Sequence, residues 1–190
     1  YLSKMLDNWP AFINLYELFH GKCIYALSNE VQAFGDYCNK EYQGMCDETL
    51  VSDVHENPEQ LIEYFKTKIK EEGRCRTLTF KVFPEHLDFE KVEMVLNRDD
   101  VSVVFLKRSP IESHISMLKA RLSGKWKQED HTNIRPALEF DKFVAWYEEK
   151  GSWYRRVEQV LTRIGKPSKT LHYEDFTESN DSNNLMFMLT

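Results

Sequence analysis

The sequence predicts an α/β fold, in which helices alternate with strands of a parallel sheet. A nearly continuous apolar run at 101–106 is typical of a parallel strand that is covered on both faces. A helix with a proline in its first turn follows this run directly, from 109 onward. Upstream, a helical pattern at 57–73 precedes an alternating pattern at 77–82. This repeated order of helix and strand predicts the fold class.

The composition predicts one soluble globular domain that spans residues 1–190. With 42% hydrophobic and 29% charged residues, a chain of 190 residues can bury a sizeable core. The formal net charge of −6 disfavours a nucleic-acid partner. Because no apolar run has the length of a membrane span and no export signal is visible, we expect no membrane span and a cytoplasmic location.

The four cysteines predict buried free thiols rather than a metal site. Cys23, Cys38, Cys46 and Cys75 form no CxxC pair and have no zinc-ligand spacing. A disulfide among the first three would require an oxidising compartment.

The first third of the chain carries two candidate functional side chains. Residues 1–6 have the pattern of a helix end, and the apolar segment 11–21 carries Glu17 and His20. A carboxylate can take a proton from a hydroxyl, and an imidazole is the rival base because it changes charge near neutral pH. From the residues alone, a surface or capping carboxylate and a packed or exposed histidine are the favoured interpretation. Residues 22–56 predict only a connection of loops and short helices.

A helix and an alternating strand follow this connection. The helix begins at 57–58 with an Asn-Pro pair and ends near residue 73. Its predicted apolar face comprises Leu61, Ile62, Phe65 and Ile69. The strand at 77–82 is stopped by Pro84 and carries Lys81 near its carboxyl end, where open α/β sheets bind ligands.

A short helix at 88–98 leads to the strand at 101–106 and then to a basic turn. Lys107 and Arg108 lie at the carboxyl end of this strand, beside the predicted start of the next helix. Free backbone N–H groups and the helix dipole attract anions at such a position. The turn is therefore a candidate anion site.

The helix after the turn has a complete start signal. Ser109 is the predicted N-cap, Pro110 suits the first helical position and Glu112 completes a capping box. The predicted buried face comprises Ile111, Ile115, Leu118 and Leu122. Ser116 lies about two turns beyond Ser109 on the same side, roughly 10 Å along the axis. Arg108 and Ser116 can thus converge on one phosphate, and a structural role for both fits the geometry equally well.

The rest of the chain predicts a loop, a long helix and a strand. The polar segment 123–136, with Trp126 and Arg135, has the composition of a substrate loop. The long helix spans 141–164 and has the broad apolar and aromatic face of a core helix. A last short strand is expected at 169–176.

These segments, in this order, resemble the sulfotransferases that use 3′-phosphoadenosine-5′-phosphosulfate (PAPS). Arg108, followed by Pro110 and Ser116, is similar to that family's 3′-phosphate-binding segment. Residues 1–20 (YLSKMLDNWPAFINLYELFH) resemble the stretch after the family's phosphate loop. The Tyr-Glu-Asp sequence at 173–175, after a long helix, is similar to a further family segment.

The resemblance implies a three-layer α/β/α sandwich around a central parallel sheet, as in phosphate-loop nucleotide-binding enzymes. It implies that Arg108 and Ser116 bind the 3′-phosphate of PAPS and that Glu17 deprotonates the acceptor. Lys81, in a strand similar to one of the family, and His20 are then expected to contact the sulfuryl group or the acceptor. No metal is required. The implied partners are the nucleotide donor and an acceptor hydroxyl, on a carbohydrate or glycolipid.

The same resemblance predicts that the family's phosphate loop lies just before Tyr1 and that further segments follow Thr190. We therefore expect the domain to be incomplete at both ends. Two other classes stay open: a small-molecule kinase-like phosphate-loop enzyme, which would use ATP and magnesium, and a catalytically incomplete nucleotide-binding domain. Preference for a 3′-phosphorylated nucleotide separates the sulfotransferase from the kinase-like enzyme.

Overall fold

The computed structural model of this chain describes residues 6, 9, 11–22, 48–71, 77–125 and 133–178. It contains helices and parallel strands in alternation, so the mixed α/β prediction is confirmed. The chain divides into two compact units between Val101 and Ser102, and each is described by itself. Predictions for the cysteines, Trp126 and the tail from 179 onward lie outside the described residues.

The first unit contains a two-stranded parallel sheet and three described helices. The strands are β1 (Phe12–Asn14) and β2 (Thr77–Thr79), paired in register from Phe12 opposite Thr77 to Asn14 opposite Thr79. The helices are α1 (Glu48–Glu56), α2 (Pro58–Glu71) and α3 (Phe89–Asn97). The expected strand at 77–82 is shorter than predicted, because sheet pairing ends at Thr79.

The core of the first unit forms around α2 and the segment after β1. The predicted face of α2 is confirmed, since its four apolar residues Leu61, Ile62, Phe65 and Ile69 are all buried. Further core residues are Ile13, Leu15, Leu18, Phe19, Val51, Val54, Leu87, Val92, Val95 and Leu96. This burial fixes the end of β1, from which the candidate residues project.

An ion-pair network connects α2 to the turn after α3. Arg98 donates two hydrogen bonds to the Asp100 carboxylate, from Nε at 3.0 Å and from Nη2 at 2.8 Å. Glu63 of α2 pairs with Arg98, and Lys66 of α2 pairs with Asp100. The hydrogen bonds from Arg98 and Lys66 lower the pKa of Asp100 to about 2.

The second unit contains its own two-stranded parallel sheet. Strands β3 (Val103–Lys107) and β4 (Ser168–His172) pair in register from Val103 opposite Ser168 to Lys107 opposite His172. The helices are α4 (Pro110–Ser123), α5 (Phe140–Arg163) and α6 (Tyr173–Glu178). The last strand ends earlier than expected, because residues 173–178 turn into a helix.

Burial in the second unit differs from the sequence prediction. Of β3, only Phe105 is buried, while Val104 is 39% exposed, so the expected cover on both faces is wrong for this strand. The face predicted for α4 is also wrong, since Ile111 and Leu122 are exposed. The buried residues of α4 are His114 and Ala120. His114 packs against the rings of Phe143 and Trp146 in α5.

The extent of regular structure sets what the fold supports. In the described part of the chain the strands form two separate pairs, one in each unit, and a larger central sheet is not observed there. Helix α5 is uninterrupted at Gly151 and spans 24 residues. None of the helices described is both long enough and apolar enough to cross a membrane.

Candidate functional site

The carboxyl ends of β1 and β2 bring two predicted side chains together. Glu17 follows β1 after a two-residue turn, and Lys81 lies two residues beyond the end of β2. Because the strands are parallel and in register, both residues emerge at the same edge of the sheet. Glu17 Oε1 lies 3.3 Å from Lys81 Nζ. The predicted base and the predicted cation are therefore direct neighbours.

The turn before Glu17 has an unusual backbone. Tyr16 has a φ of 48°, in the left-handed region that costs a non-glycine residue on the order of 1 kcal/mol. Two hydrogen bonds hold it there: its N–H donates to Asn14 Oδ1 at 3.1 Å, and its carbonyl accepts from the Lys81 N–H at 2.7 Å. Asn14 is itself buried. The second bond joins the Glu17 turn to the Lys81 segment through the backbone.

The ion pair is accessible to solvent and ligands. The Glu17 side chain is 31% exposed and that of Lys81 is 39% exposed. Each group therefore keeps free surface on which an additional polar group can bind. A carboxylate can accept a proton from a hydroxyl, and an ammonium can offset negative charge on an adjacent group.

Two histidines complete this cluster, which we call the Glu17 cluster (Glu17, His20, Lys81 and His86). The His20 and His86 rings are in edge contact, with centroids 5.6 Å apart. His20 is half-buried, and its Nδ1 accepts the Lys22 N–H at 3.2 Å. His86 is only 2% exposed, and its Nδ1 has no hydrogen-bond partner within the described part of the chain.

The electrostatics of His86 follow from this burial. Desolvation lowers its pKa below the ordinary value of 6.5, against the opposing effects of the Glu17 and Glu85 carboxylates and a hydrogen bond to the Lys81 backbone. His86 is thus held as neutral imidazole at neutral pH. No role is predicted for His86 from the sequence, because burial of a single histidine is not visible in the pattern of its neighbours.

The segment that carries Glu17 and His20 is also held from α1. His55 Nε2 lies 3.2 Å from the Phe19 carbonyl oxygen. Since a carbonyl can only accept, Nε2 of His55 carries the proton in this contact. The His20 N–H donates to the Glu17 carbonyl at 3.2 Å, which closes the turn between the two residues.

The second unit carries the other candidate residues, at the end of β3. The Arg108 guanidinium carbon lies 4.7 Å from the centroid of the Tyr173 ring, within the range of a cation–π contact. Arg108 Nε also lies 3.6 Å from Glu112 Oε2, one turn along α4. These contacts hold the guanidinium near the start of α4, as predicted. Ser116 is exposed on the same helix.

The start of α4 differs from the predicted capping box. Ser109 is the N-cap residue, but its side chain makes no capping hydrogen bond. Instead, its N–H donates to Glu174 Oε1 at 2.8 Å. This bond is the largest of the effects that lower the pKa of Glu174. The Glu174 carboxylate therefore takes the backbone N–H group that was expected to bind an external anion. The two residues are 65 positions apart, so no local motif predicts this contact.

Comparison of the chain with protein-family models, curated proteins and solved structures finds no match. The function is therefore inferred from the chemistry of the Glu17 cluster and of the Arg108 turn (Lys107–Ser109).

Proposed function

We propose that this protein is a sulfotransferase that transfers a sulfuryl group from PAPS to an acceptor hydroxyl on a carbohydrate or glycolipid. The observation that carries the proposal is the contact of 3.3 Å between the Glu17 carboxylate and the Lys81 ammonium, at the carboxyl ends of adjacent parallel strands. Sulfuryl transfer uses a group of each charge. A base must take the acceptor proton, and a cation must offset charge on the transferring group.

In the proposed reaction the acceptor hydroxyl loses its proton to Glu17 as its oxygen bonds to sulfur. The bond from sulfur to the bridging phosphate oxygen breaks, and 3′-phosphoadenosine-5′-phosphate leaves with that electron pair. Lys81 offsets negative charge on the sulfuryl oxygens during this step. His20 contacts the acceptor at the edge of the Glu17 cluster.

In the same proposal Arg108 and Ser116 bind the 3′-phosphate of the donor. A guanidinium at the end of a strand and a hydroxyl two turns along the following helix suit a phosphate dianion. The contact of Arg108 with Tyr173 supports this role, because it keeps the guanidinium near the start of α4. The fold proposed for this function is a three-layer α/β/α sandwich around a central parallel sheet.

Nucleotide selectivity tests the proposal. The full-length protein is titrated by calorimetry with 3′-phosphoadenosine-5′-phosphate, with 5′-AMP and with ATP plus Mg²⁺. We expect selective binding of the bisphosphate. Arg108→Ala should weaken it by at least about ten-fold, since a charged hydrogen bond contributes roughly 1.5–3 kcal/mol.

The matched control is Arg121→Ala, which removes an exposed arginine from the other end of α4. This variant should bind the bisphosphate as the wild type does. Equal binding of 5′-AMP and the bisphosphate, or no binding of either, would overturn the sulfotransferase proposal. Preferential binding of ATP with Mg²⁺ would favour a kinase-like enzyme instead.

A further inference from the structure

Two aromatic rings flank the ion pair of the Glu17 cluster. Lys81 Nζ lies 5.9 Å from the centroid of the Tyr16 ring and 5.9 Å from that of Phe83. The same nitrogen contacts the Glu17 carboxylate. The candidate base and cation therefore lie beside two aromatic surfaces rather than in a wholly polar surrounding.

Tyr16 is an unfavourable residue for its backbone position. At a φ of 48° a glycine or an asparagine would be less strained than a bulky aromatic residue. The structure maintains this conformation with the buried Asn14 side chain and with the Lys81 N–H. Strain of this kind is typical of functional sites, where the position of a side chain matters more than local stability. The Tyr16 backbone is thus fixed directly before Glu17, and its ring lies 5.9 Å from Lys81 Nζ.

Phe83 contributes the second ring, and much of its surface is open. It is 38% exposed, although its ring meets the buried His86 ring nearly at a right angle, at a centroid distance of 5.0 Å. His86 thereby supports Phe83 from within the unit and leaves part of the ring accessible. An accessible aromatic surface beside a carboxylate and an ammonium suits a ligand with both an apolar face and several polar edges.

A sugar ring has this combination. The C–H groups on one face of a pyranose pack against an aromatic ring, while its hydroxyls can donate to Glu17 and accept from Lys81. A phenol also packs on aromatic rings, but it presents one hydroxyl to this pair of charges, whereas a sugar ring presents several. Resting on the sulfotransferase proposal, we propose that Tyr16 and Phe83 form the platform that binds a sugar ring of the acceptor and sets acceptor specificity.

Saturation-transfer NMR tests the platform without the nucleotide. The full-length protein is mixed with cellobiose, lactose, maltose or N,N′-diacetylchitobiose, and with 4-nitrophenol as the aromatic probe. We expect saturation on the ring C–H protons of at least one disaccharide. Phe83→Ala and Tyr16→Ala should each raise the dissociation constant of that disaccharide at least about five-fold, because each removes a stacking surface.

A matched control separates a platform from a general loss of structure. Phe140→Ala removes a more exposed phenylalanine from the second unit and should have no effect on disaccharide binding. Circular dichroism in the far and near ultraviolet verifies the fold of every variant. If Tyr16→Ala does not fold, Phe83→Ala alone decides the outcome.

The proposal is overturned if no disaccharide receives saturation, if 4-nitrophenol alone does, or if Phe83→Ala leaves disaccharide binding unchanged. Its failure is distinguishable from failure of the sulfotransferase proposal, because the two depend on different ligands. Binding of a disaccharide without selective binding of the bisphosphate would retain the platform and reject PAPS as donor. The converse result would retain PAPS and reject the platform.

Discussion

At the residue scale, the chemistry of the Glu17 cluster depends on how closely the chain holds opposite charges. Glu17 and Lys81 are joined by an ion pair and, through Tyr16, by a backbone hydrogen bond. An exposed ion pair adds little to stability, typically less than about 1 kcal/mol. The arrangement is therefore more informative about reactivity than about folding.

The first prediction concerns Glu17. We expect Glu17→Gln to lower the rate of sulfuryl transfer from PAPS by about 10²–10⁴-fold, the usual contribution of a general base. Affinity for 3′-phosphoadenosine-5′-phosphate should be unchanged, since the amide keeps the shape of the side chain. A transfer assay and calorimetry on the full-length protein measure the two effects. Glu90→Gln, an exposed carboxylate on α3, is the control, and full activity in Glu17→Gln would remove Glu17 as the base.

The second prediction concerns Glu174, whose carboxylate accepts the Ser109 N–H. Its negative charge lies where the 3′-phosphate is expected, beside Arg108. We expect Glu174→Gln to strengthen binding of the bisphosphate by about three-fold, because the variant removes repulsion between like charges. Calorimetry at low ionic strength measures this change. Weaker binding in the variant would instead mean that Glu174 orders the turn for the nucleotide.

The third prediction follows from His86, whose pKa is lowered by burial. Below pH 6.5 the unfolded chain takes up a proton at His86, whereas the folded protein does so only at lower pH. Folding is therefore not opposed by His86 above pH 6.5, and stability is lost on acidification below it. For one proton, the free energy of unfolding changes by at most about 1.4 kcal/mol per pH unit. The free energy of unfolding, measured with urea between about pH 7.5 and pH 5, should change less with pH for His86→Gln than for the wild type. An equal pH dependence in the variant and the wild type would contradict the lowered pKa of His86.

At the element scale, α2 and the turn after α3 are joined by the ion-pair network of Arg98, Asp100, Glu63 and Lys66. The Arg98 side chain is largely buried, whereas its partners are partly exposed. The paired charges therefore interact through surroundings that solvent screens in part. This makes the network a measurable but modest contribution to the packing of α3.

The fourth prediction is that Arg98→Ala lowers the free energy of unfolding by about 1 kcal/mol at neutral pH, after allowance for solvent screening. The pKa of Asp100 is lowered to about 2. The stabilising effect of the Asp100 carboxylate is therefore complete at a pH above the ordinary pKa of an aspartate, and it is lost as the pH falls through about 2. The difference in the free energy of unfolding between the variant and the wild type should consequently become smaller from about pH 5 to pH 3. Arg121→Ala should show no difference, and a constant gap for Arg98→Ala would contradict the role of Asp100.

The same scale shows how far the sequence could predict this fold. Helix α2 was predictable because its apolar spacing matches the face that is buried. Helix α4 and its start at Ser109 and Pro110 were predicted too, but its buried face was not, because a buried position belongs to His114, which packs against aromatic residues of α5. Periodicity reports which residues are apolar, and it does not report which element they meet. The ends of β2 and β4 depend in the same way on the partner strand.

Several members of the candidate site could be predicted from the sequence, whereas the buried His86 and the contacts between the members could not. Lys81 and Arg108 were found because each lies at the carboxyl end of a predicted strand, where parallel strands present ligand-binding residues. Glu17 was assigned because its segment resembles one of the sulfotransferases. The pairing of Glu17 with Lys81 depends on the register of β1 and β2, which lie more than 60 residues apart. The bond between Glu174 and Ser109 is equally non-local. Contacts of this range have no sequence period that could reveal them.

At the scale of the whole molecule, each unit has the same basic arrangement. A pair of parallel strands presents candidate side chains at its carboxyl end, Glu17 and Lys81 in the first unit and Arg108 in the second. Each unit also has buried apolar residues of its own, such as Ile62 in the first and Leu161 in the second. Whether 1–190 is one domain is then a question of how cooperatively these two cores unfold.

The fifth prediction is that the two units unfold in a single transition, as the single-domain prediction requires. Ile62→Val should cost about 1 kcal/mol and Leu161→Ala about 3 kcal/mol, because each removes buried methyl or methylene groups. For a chain of this size, each kcal/mol lowers the melting temperature by about 2–4 °C. Both variants should therefore lower one common midpoint, and calorimetry together with hydrogen exchange in β1 and β3 measures this. Two separate transitions, each sensitive to only one of the substitutions, would show instead that the units are independent domains and that nucleotide and acceptor chemistry must be assigned to them separately.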